Sequence, residues 1–177
     1  MQVEIKARDS LTDLESEELT NLGKAVFPPD TPPSEAARIQ WSNSEWSVLI
    51  RDDNDVLVSY MGLITRQAMC DDTPVFIGGI GGVKTHPDAR GKGYAGFGLK
   101  KSAEVLRKEL KVDFSLLVCR DELIPYYQKF GWQAFKGDML IDQTSGKTKF
   151  TFNKPMLIEG VKPIPQCSVI DLCGEPW

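Results

Sequence analysis

Residues 75–96 read VFIGGIGGVKTHPDARGKGYAG, and the rest of the chain can be organised around them. The pattern predicts a glycine-rich strand that runs to about Thr85, then a polar connector, then the loop 90–95, where a helix begins. Gly91 and Gly93 would let the backbone approach a ligand because they carry no Cβ. The unpaired N–H groups and the dipole of a helix N-terminus favour an anion at this place. The stretch therefore predicts a cradle for a phosphate or pyrophosphate.

Two common phosphate loops fit this cradle poorly. Lys92 is followed by glycine and tyrosine, whereas a P-loop requires Ser or Thr after its lysine. Residues 91–96 do have the spacing G-x-G-x-x-G, and Asp113 lies about 20 residues further on, as in dinucleotide-binding folds. However, a proline-containing connector separates the strand from the first glycine, and Asp113 precedes its strand instead of ending it. A dinucleotide-binding oxidoreductase stays open as a less favoured alternative.

A third loop type fits better. Residues 90–95 have the form Arg-x-x-Gly-x-Ala after a strand that ends Val-x-x-x-Pro, and residues 125–132, PYYQKFGW, form an aromatic-Tyr-x-x-x-Gly-aromatic run. This pair of patterns resembles the two signatures of the GNAT superfamily of N-acetyltransferases. The resemblance spans roughly residues 75–135. It implies an α+β fold, a mixed, mostly antiparallel sheet flanked by helices, with splayed central strands that bind acetyl-CoA.

Length and composition are those of an ordinary soluble domain. The 177 residues are 41% hydrophobic and 26% charged, which favours one domain, 1–177. Within it we expect N-terminal strands and acceptor-side helices in 1–74, an acetyl-CoA-binding core in 75–135, and C-terminal strands and a tail in 136–177. The sequence contains no apolar run long enough for a membrane span and no signal-peptide pattern, so a cytoplasmic protein is expected.

The net charge and the histidine and cysteine residues argue against several classes of function. The net charge of −4 disfavours nucleic acid and favours a cationic partner. The single histidine, His86, argues against Ser-His-Asp or Cys-His hydrolysis. No metal site is expected, because the cysteines lack Cys-x-x-Cys spacing and are interpreted as free thiols. They are Cys70, Cys119, Cys167 and Cys173.

Hydrophobic periodicity predicts the element order β-α-α-β-β-β-α-β-α-β with C-terminal additions. Residues 10–13 resemble a capping box for the first helix, and Ser34 is predicted to cap a second short helix through about Trp41. Asp121 is predicted to cap a helix over 122–130. Residues 167–172 are interpreted as a last edge strand.

The glycine pairs 78–79 and 81–82 predict a bulge in the central strand. A bulge would splay this strand from its neighbour and open a slot for a pantetheine arm. Together with the loop, the resemblance implies a set of acetyl-CoA-binding residues: Val83, Thr85, Arg90, Gly91, Lys92, Gly93, Tyr94 and Ala95.

The chemistry that the resemblance implies is direct transfer of acetyl from acetyl-CoA to a primary amine in a ternary complex. Tyr127 matches the tyrosine of the family that protonates the departing CoA thiolate.

The glutamate that many members use as a base falls at Gly81 or Gly82, so a water held by main-chain carbonyls, or another carboxylate, would have to deprotonate the amine. Cys119 is interpreted as a buried inert thiol, with an acetyl-cysteine as the alternative. The carboxylates considered as the base in place of the missing glutamate are Asp30, Glu35, Glu122 and Glu175.

Within the family, the chain distantly resembles the aminoglycoside 2′-N-acetyltransferases. This resemblance implies an acceptor site for a small cationic amine, such as an aminoglycoside, formed by Asp30, Glu35, Glu175 and Trp177. Homodimers are common in that subfamily, so a homodimer is also considered. A protein or peptide amine acetyltransferase and a catalytically weak CoA-binding sensor remain the alternatives.

Overall fold

The computed structural model describes residues 1–28 and 35–177. Three α-helices lie in these ranges: α1 (Asp13–Val26), α2 (Tyr94–Lys108) and α3 (Ile124–Gln128). The strands in the same ranges are β1 (Gln2–Ala7), β2 (Trp46–Arg51), β3 (Leu57–Cys70), β4 (Thr73–Thr85), β5 (Phe114–Cys119), β6 (Gln133–Ala134), β7 (Asp138–Gln143), β8 (Gly146–Lys149), β9 (Lys154–Glu159) and β10 (Val169–Asp171).

All of these strands form one mixed sheet. Its order is β6-β9-β5-β4-β3-β10-β7-β8, and β2 pairs with β3 and carries β1 at its other edge. Only the β4–β5 and β10–β7 pairs are parallel. The predicted α+β fold with a mostly antiparallel sheet is therefore confirmed.

The central strands β4 and β5 separate soon after they pair. Their ladder contains only Ile77–Phe114, Gly78–Ser115 and Gly79–Leu116, although β4 continues to Thr85 and β5 to Cys119. A V-shaped notch opens between them beyond this point. The splayed strands that the resemblance implied are present.

A β-bulge in β4 lies beside this notch. On β3, only Met61 separates Tyr60 from Gly62, whereas two residues of β4, Gly82 and Val83, lie between their partners. Gly82 has φ +60°, a left-handed conformation that glycine adopts at low cost. The bulge predicted from the paired glycines is confirmed.

The two faces of the sheet bury different elements. On one face, α2 packs Leu99 and Leu106 into a core with residues of β2–β5. Gly78 allows α2 to pack closely against β4, because a side chain at this position would collide with Leu106. On the other face, α1 covers β2 and β3 through a small cluster that includes Leu22 and Tyr60. The rest of that face is covered by the C-terminal segments.

The start of α1 differs from the prediction. Thr12, not Ser10, is the N-cap, because Glu15 and Thr12 form a reciprocal capping box. The Ser10 hydroxyl instead donates to the Ala7 carbonyl and closes a 3-10 turn. The predicted second helix is only a 3-10 turn at Glu35–Arg38 in the described residues.

The helix predicted after Asp121 is also shorter. Asp121 lies inside a 3-10 turn and caps nothing with its side chain. The α-helix proper is α3, five residues long. Gly131, with φ +88°, ends this segment as predicted.

The segment predicted as a last edge strand is an interior strand. β10 pairs antiparallel with β3 and parallel with β7, so it lies between them. Ile170 is fully buried there. The interpretation as an edge was wrong because the apolar pattern of residues 167–172 reports burial, whereas the pairing depends on strands distant in the chain.

Candidate active site

The cradle has the predicted form. Gly91 and Gly93 have φ +76° and +87°, and a Cβ added at either would meet nothing within 4 Å. Gly93 is the N-cap of α2 and makes no side-chain cap, so the N–H groups of Tyr94 and Ala95 at the start of the helix have no side-chain partner. Together with the helix dipole, these donors favour an anion.

Positive charge surrounds this helix terminus. Arg90 and Lys92 are exposed, and Arg90 Nε donates to the Thr85 carbonyl at 3.3 Å, which ties the loop to the end of β4. The Thr85 hydroxyl lies 2.9 Å from that of Ser59. The loop can therefore present two cations and open N–H groups to one phosphate group.

The edge of β4 that faces the notch is the second part of the site. Beyond Gly79, the segment up to Thr85 has no strand partner on the β5 side among the described residues. Val83 lies half-buried in this segment, at the bulge. Main-chain groups without a ladder partner can bind an extended polar ligand by strand-like hydrogen bonds.

Tyr127 lies on α3 against the end of β5. It is buried in the same core cluster as Cys119, and its ring meets that of Tyr126 edge-on, with centroids 5.3 Å apart. Burial, with smaller contributions from Cys119 and Tyr126, raises the pKa of Tyr127 to about 12. The phenol is therefore protonated at neutral pH and can act as a proton donor.

Cys119 has the properties of a packed thiol. Its Sγ donates to Met156 Sδ at 3.5 Å. Burial, followed by the charges of Asp121 and Glu122, raises the pKa of Cys119 to about 11. The thiolate, which is the nucleophile, is thus scarce at neutral pH. This supports the interpretation of Cys119 as inert.

Trp177 occupies the apex of the notch. Its indole Nε1 donates to the Leu116 carbonyl at 3.3 Å, and a Cβ at Gly79 would collide with the indole ring. A Cβ at Gly81 would lie 2.7 Å from the main-chain carbonyl carbon of Trp177. Residue 177 therefore fills the space that a glutamate at position 81 would need.

Arg66 and Ser42 hold this tail in place. Arg66 donates to the Glu175 carbonyl at 2.6 Å and to the Ser42 hydroxyl at 2.7 Å. The Ser42 N–H donates to the Pro176 carbonyl at 2.7 Å, and the Arg66 guanidinium lies 5.4 Å from the Trp177 ring centroid. The position of the tail is thus determined by several independent contacts.

A cavity of about 600 Å³ opens next to the bulge. Gly81, Gly82 and Trp177 line its floor, and α1 forms one wall. Its polar lining includes hydroxyl groups and two cations, Arg8 and Lys84. Because the cavity reaches the bulged segment of β4, a molecule in it would lie next to a ligand held along that strand.

The predicted acceptor residues are only partly brought together. Trp177 lines the cavity, whereas Glu35, exposed on its 3-10 turn, and Glu175 do not. Asp30 lies outside the described residues. Glu122 forms a surface ion pair with Arg120 at 3.1 Å.

The serine, tyrosine and lysine residues of the lining were not predicted from the sequence. A signal existed for Lys84, a cation two residues after the bulge glycine in an otherwise apolar strand. The hydroxyl residues had no such signal, because their role depends on which strands pair.

Asp113 has a structural role in this fold. One of its carboxylate oxygens accepts from the Phe76 N–H at 3.0 Å and the other lies 2.9 Å from Lys162 Nζ. An acidic residue held in this way is not positioned to bind the ribose hydroxyl of a dinucleotide. The dinucleotide alternative thereby loses the residue on which it depended.

Neither a metal cluster nor a membrane helix is found in the described part of the chain. Within 1–28 and 35–177, no three His, Cys, Asp or Glu side chains are arranged to hold a metal ion. No helix in these ranges combines the length and apolarity needed to cross a bilayer.

Comparisons with known proteins agree with this fold. The family model for an acetyltransferase (GNAT) domain matches residues 8–135, whereas a search of curated proteins found no match. The crystal structure of Escherichia coli ElaA superposes with a TM-score of 0.62 at 18% identity, over 89% of this chain and 99% of that one.

Two further structures are similar. A GNAT family acetyltransferase from Brucella melitensis, in complex with acetyl-CoA, has a TM-score of 0.57 and 14% identity, and the match covers 94% of this chain and 93% of that one. A spermidine N-acetyltransferase chimera from Vibrio cholerae has a TM-score of 0.56 and 16% identity, with 90% and 96% covered. At these identities the likeness shows the fold alone.

The splayed sheet, the open helix N-terminus and the family match define an acetyltransferase. The chain belongs to the GNAT family, whose members use acetyl-CoA. The site fits that molecule, because the residue types and backbone angles at Gly91 and Gly93 leave a basic, uncapped helix terminus open to a pyrophosphate.

Proposed function

We propose that this protein transfers acetyl from acetyl-CoA to a primary amine of a small molecule, by direct attack in a ternary complex. One observation carries the proposal: Gly81 and Gly82 line the cavity, while the same segment of β4 has no strand partner on the notch side. Two substrates could therefore meet at one bulge. Acetyl-CoA would supply the acetyl group as an activated thioester.

The chain's own residues would position that thioester. We assign the pyrophosphate to Arg90, Lys92 and the N–H groups of residues 91–95. The pantetheine would lie along Val83 and Thr85. A main-chain N–H near Val83 would stabilise negative charge on the thioester oxygen, because a donor fixed by the strand needs no reorganisation during the reaction.

Proton transfers complete the chemistry. Tyr127 Oη would donate a proton to the departing sulfur, since the phenol is protonated at neutral pH. The amine must lose a proton, and position 81 offers no side chain for this. We assign that step to a water held by main-chain carbonyls at the bulge.

The identity of the acceptor amine is less well defined than that of acetyl-CoA. The cavity volume of about 600 Å³ lies in the range of small-molecule sites, which supports a small molecule over a protein or peptide amine. A small cationic amine such as an aminoglycoside stays a prediction from sequence resemblance. Glu35 and Glu175, predicted to bind it, do not line the cavity. A CoA-binding sensor is the alternative if no amine is acetylated.

The test is thiol release from acetyl-CoA with a panel of aminoglycosides, polyamines, amino acids and short peptides. Turnover with any small amine supports the proposal. Binding of acetyl-CoA without turnover on the whole panel would favour the sensor. Failure to bind acetyl-CoA would contradict both.

A further inference from the structure

The charge of the cavity indicates what kind of amine it accepts. Arg8 and Lys84 are the cations of its lining, and no Asp or Glu is among the lining residues described. The undescribed residues 29–34, PDTPPS, contain one acidic residue and no basic one. Counting side chains alone, the described lining carries two positive charges and no negative one, although the whole protein carries −4.

Lys84 lies on β4 beside the bulge. Its Nζ is 5.7 Å from the centroid of the Tyr60 ring and 3.9 Å from where a side chain would begin on Gly23 of α1. Within the described residues, neither Lys84 nor Arg8 pairs with a carboxylate. The ammonium group thus faces the cavity without a counter-ion from that part of the chain.

Polar groups link the two cations along one wall. Arg8 Nη1 donates to the Ser44 hydroxyl at 3.1 Å, and that hydroxyl lies 3.2 Å from the Tyr60 hydroxyl. A Cβ at Gly62 would lie 2.6 Å from Ser44 Cβ and 3.2 Å from the Tyr60 hydroxyl. A side chain at position 62 would therefore displace Ser44 from this wall.

Ser47 adds an independent sign of a ligand. It is completely buried, lines the cavity, and its hydroxyl has no hydrogen-bond partner among the described residues. A buried hydroxyl without a partner is costly, and such groups often bind a ligand or water.

We propose that the acceptor is a primary amine that also carries an anionic group, a carboxylate or a phosphate, bound by Lys84 with Arg8 at the mouth. This inference rests on the proposed acetyl transfer.

Matched acceptors test the charge. The common amino acids are compared with their carboxamides and their decarboxylated amines, and phosphoethanolamine is compared with ethanolamine. We expect kcat/KM to be at least about tenfold higher for the anionic member of the best set, as for a hydrogen bond to a charged group. The carboxylate and phosphate sets identify which anion is native. Faster turnover of the neutral or cationic members would overturn the inference while leaving acetyl transfer intact.

A binding experiment with acetylated products tests the role of Lys84 even if no amine is acetylated. N-acetylglycine, N-acetylalanine and N-acetylphenylalanine, and their amides, are titrated by ligand-observed NMR with CoA present. We expect the acids to bind more tightly to the wild type, and Lys84→Gln to remove that preference. Lys136→Gln is the matched control, since Lys136 is exposed and is not one of the residues that line the cavity. Equal binding of acids and amides by the wild type, or an acid preference kept in Lys84→Gln, would refute the role of Lys84.

Discussion

At the scale of single residues, the site depends on one phenol and two glycine residues. Burial disfavours the charged form of Tyr127 and raises its pKa to about 12, so the phenol stays protonated well above neutral pH. Gly91 and Gly93 have backbone angles that other residues adopt only with strain. In the proposed mechanism the phenol would supply a proton and the two glycine residues would give the pyrophosphate access to the backbone, so the two roles can be tested separately.

Tyr127→Phe removes the hydroxyl and keeps the ring. We expect kcat to fall by about a hundredfold, a typical contribution of general acid catalysis, with little change in the Kd of acetyl-CoA. Stopped-flow thiol release and a CoA titration measure the two quantities. Because the pKa of Tyr127 is raised to about 12, its ionisation should not reduce the wild-type rate below about pH 11. Unchanged kcat would remove Tyr127 from the chemistry.

Gly93→Glu places a carboxylate at the cradle. We expect acetyl-CoA binding to be lost, since the new charge repels the pyrophosphate. Gly146→Glu is the control: Gly146 also has a positive φ, +103°, and open space around it, but it begins β8 directly after the β7–β8 turn. Both variants carry similar backbone strain, so a difference between them in calorimetric titration isolates the cradle. Equal affinities would place the cofactor elsewhere.

At the scale of elements, α1 matters because it forms a wall of the cavity. Its first turn is held by the Thr12–Glu15 capping box, and Lys6 on β1 lies 2.8 Å from the Glu15 carboxylate. The hydrogen bonds from Lys6 and from the Thr12 N–H lower the pKa of Glu15 to about 2. The helix start is thereby connected to the edge of the sheet.

Glu15→Gln tests this connection. The folded pKa of Glu15 lies below the unfolded value of about 4.3, so the carboxylate stabilises the fold above pH 4.3 and this stabilisation is lost as pH falls toward 2. We expect the variant to be less stable at pH 7 by about 1 kcal/mol, similar to the loss of a cap. The gap should shrink between pH 4.5 and 2, measured by urea unfolding. A gap independent of pH would mean that the charge contributes nothing.

Local signals in the sequence predicted the main backbone features of residues 75–135. The loop 90–95, the bulge at Gly82 and the stop at Gly131 each depend on glycine at a position with positive φ, which neighbouring residues reveal. The cavity proposed for the acceptor was poorly predicted. Ser47 and Tyr60 become a cavity wall only through strand pairing, and β10 enters the sheet through partners distant in the chain.

At the scale of the whole molecule, Trp177 connects the tail to the catalytic strands. Trp177→Ala should cost about 3 kcal/mol of unfolding free energy, as for other buried tryptophans, and should raise the KM of the acceptor more than that of acetyl-CoA. Trp177→Phe, which keeps most of the volume but loses the bond to the Leu116 carbonyl, should cost about 1 kcal/mol. Urea unfolding and steady-state kinetics check these values. If neither variant changes the acceptor KM, the tail serves stability alone.

The insertion of β10 between β3 and β7 has a consequence for biosynthesis. Cys70 on β3 pairs with Ile170, a hundred residues further along the chain. A ribosome adds about 5–20 residues per second, so this edge of β3 emerges into the cell roughly 5–20 s before its partner exists. An unpaired apolar edge is a template for aggregation. Nascent chains stalled before residue 169 should therefore depend on chaperones, and codons that slow translation after β3 should lower the soluble yield.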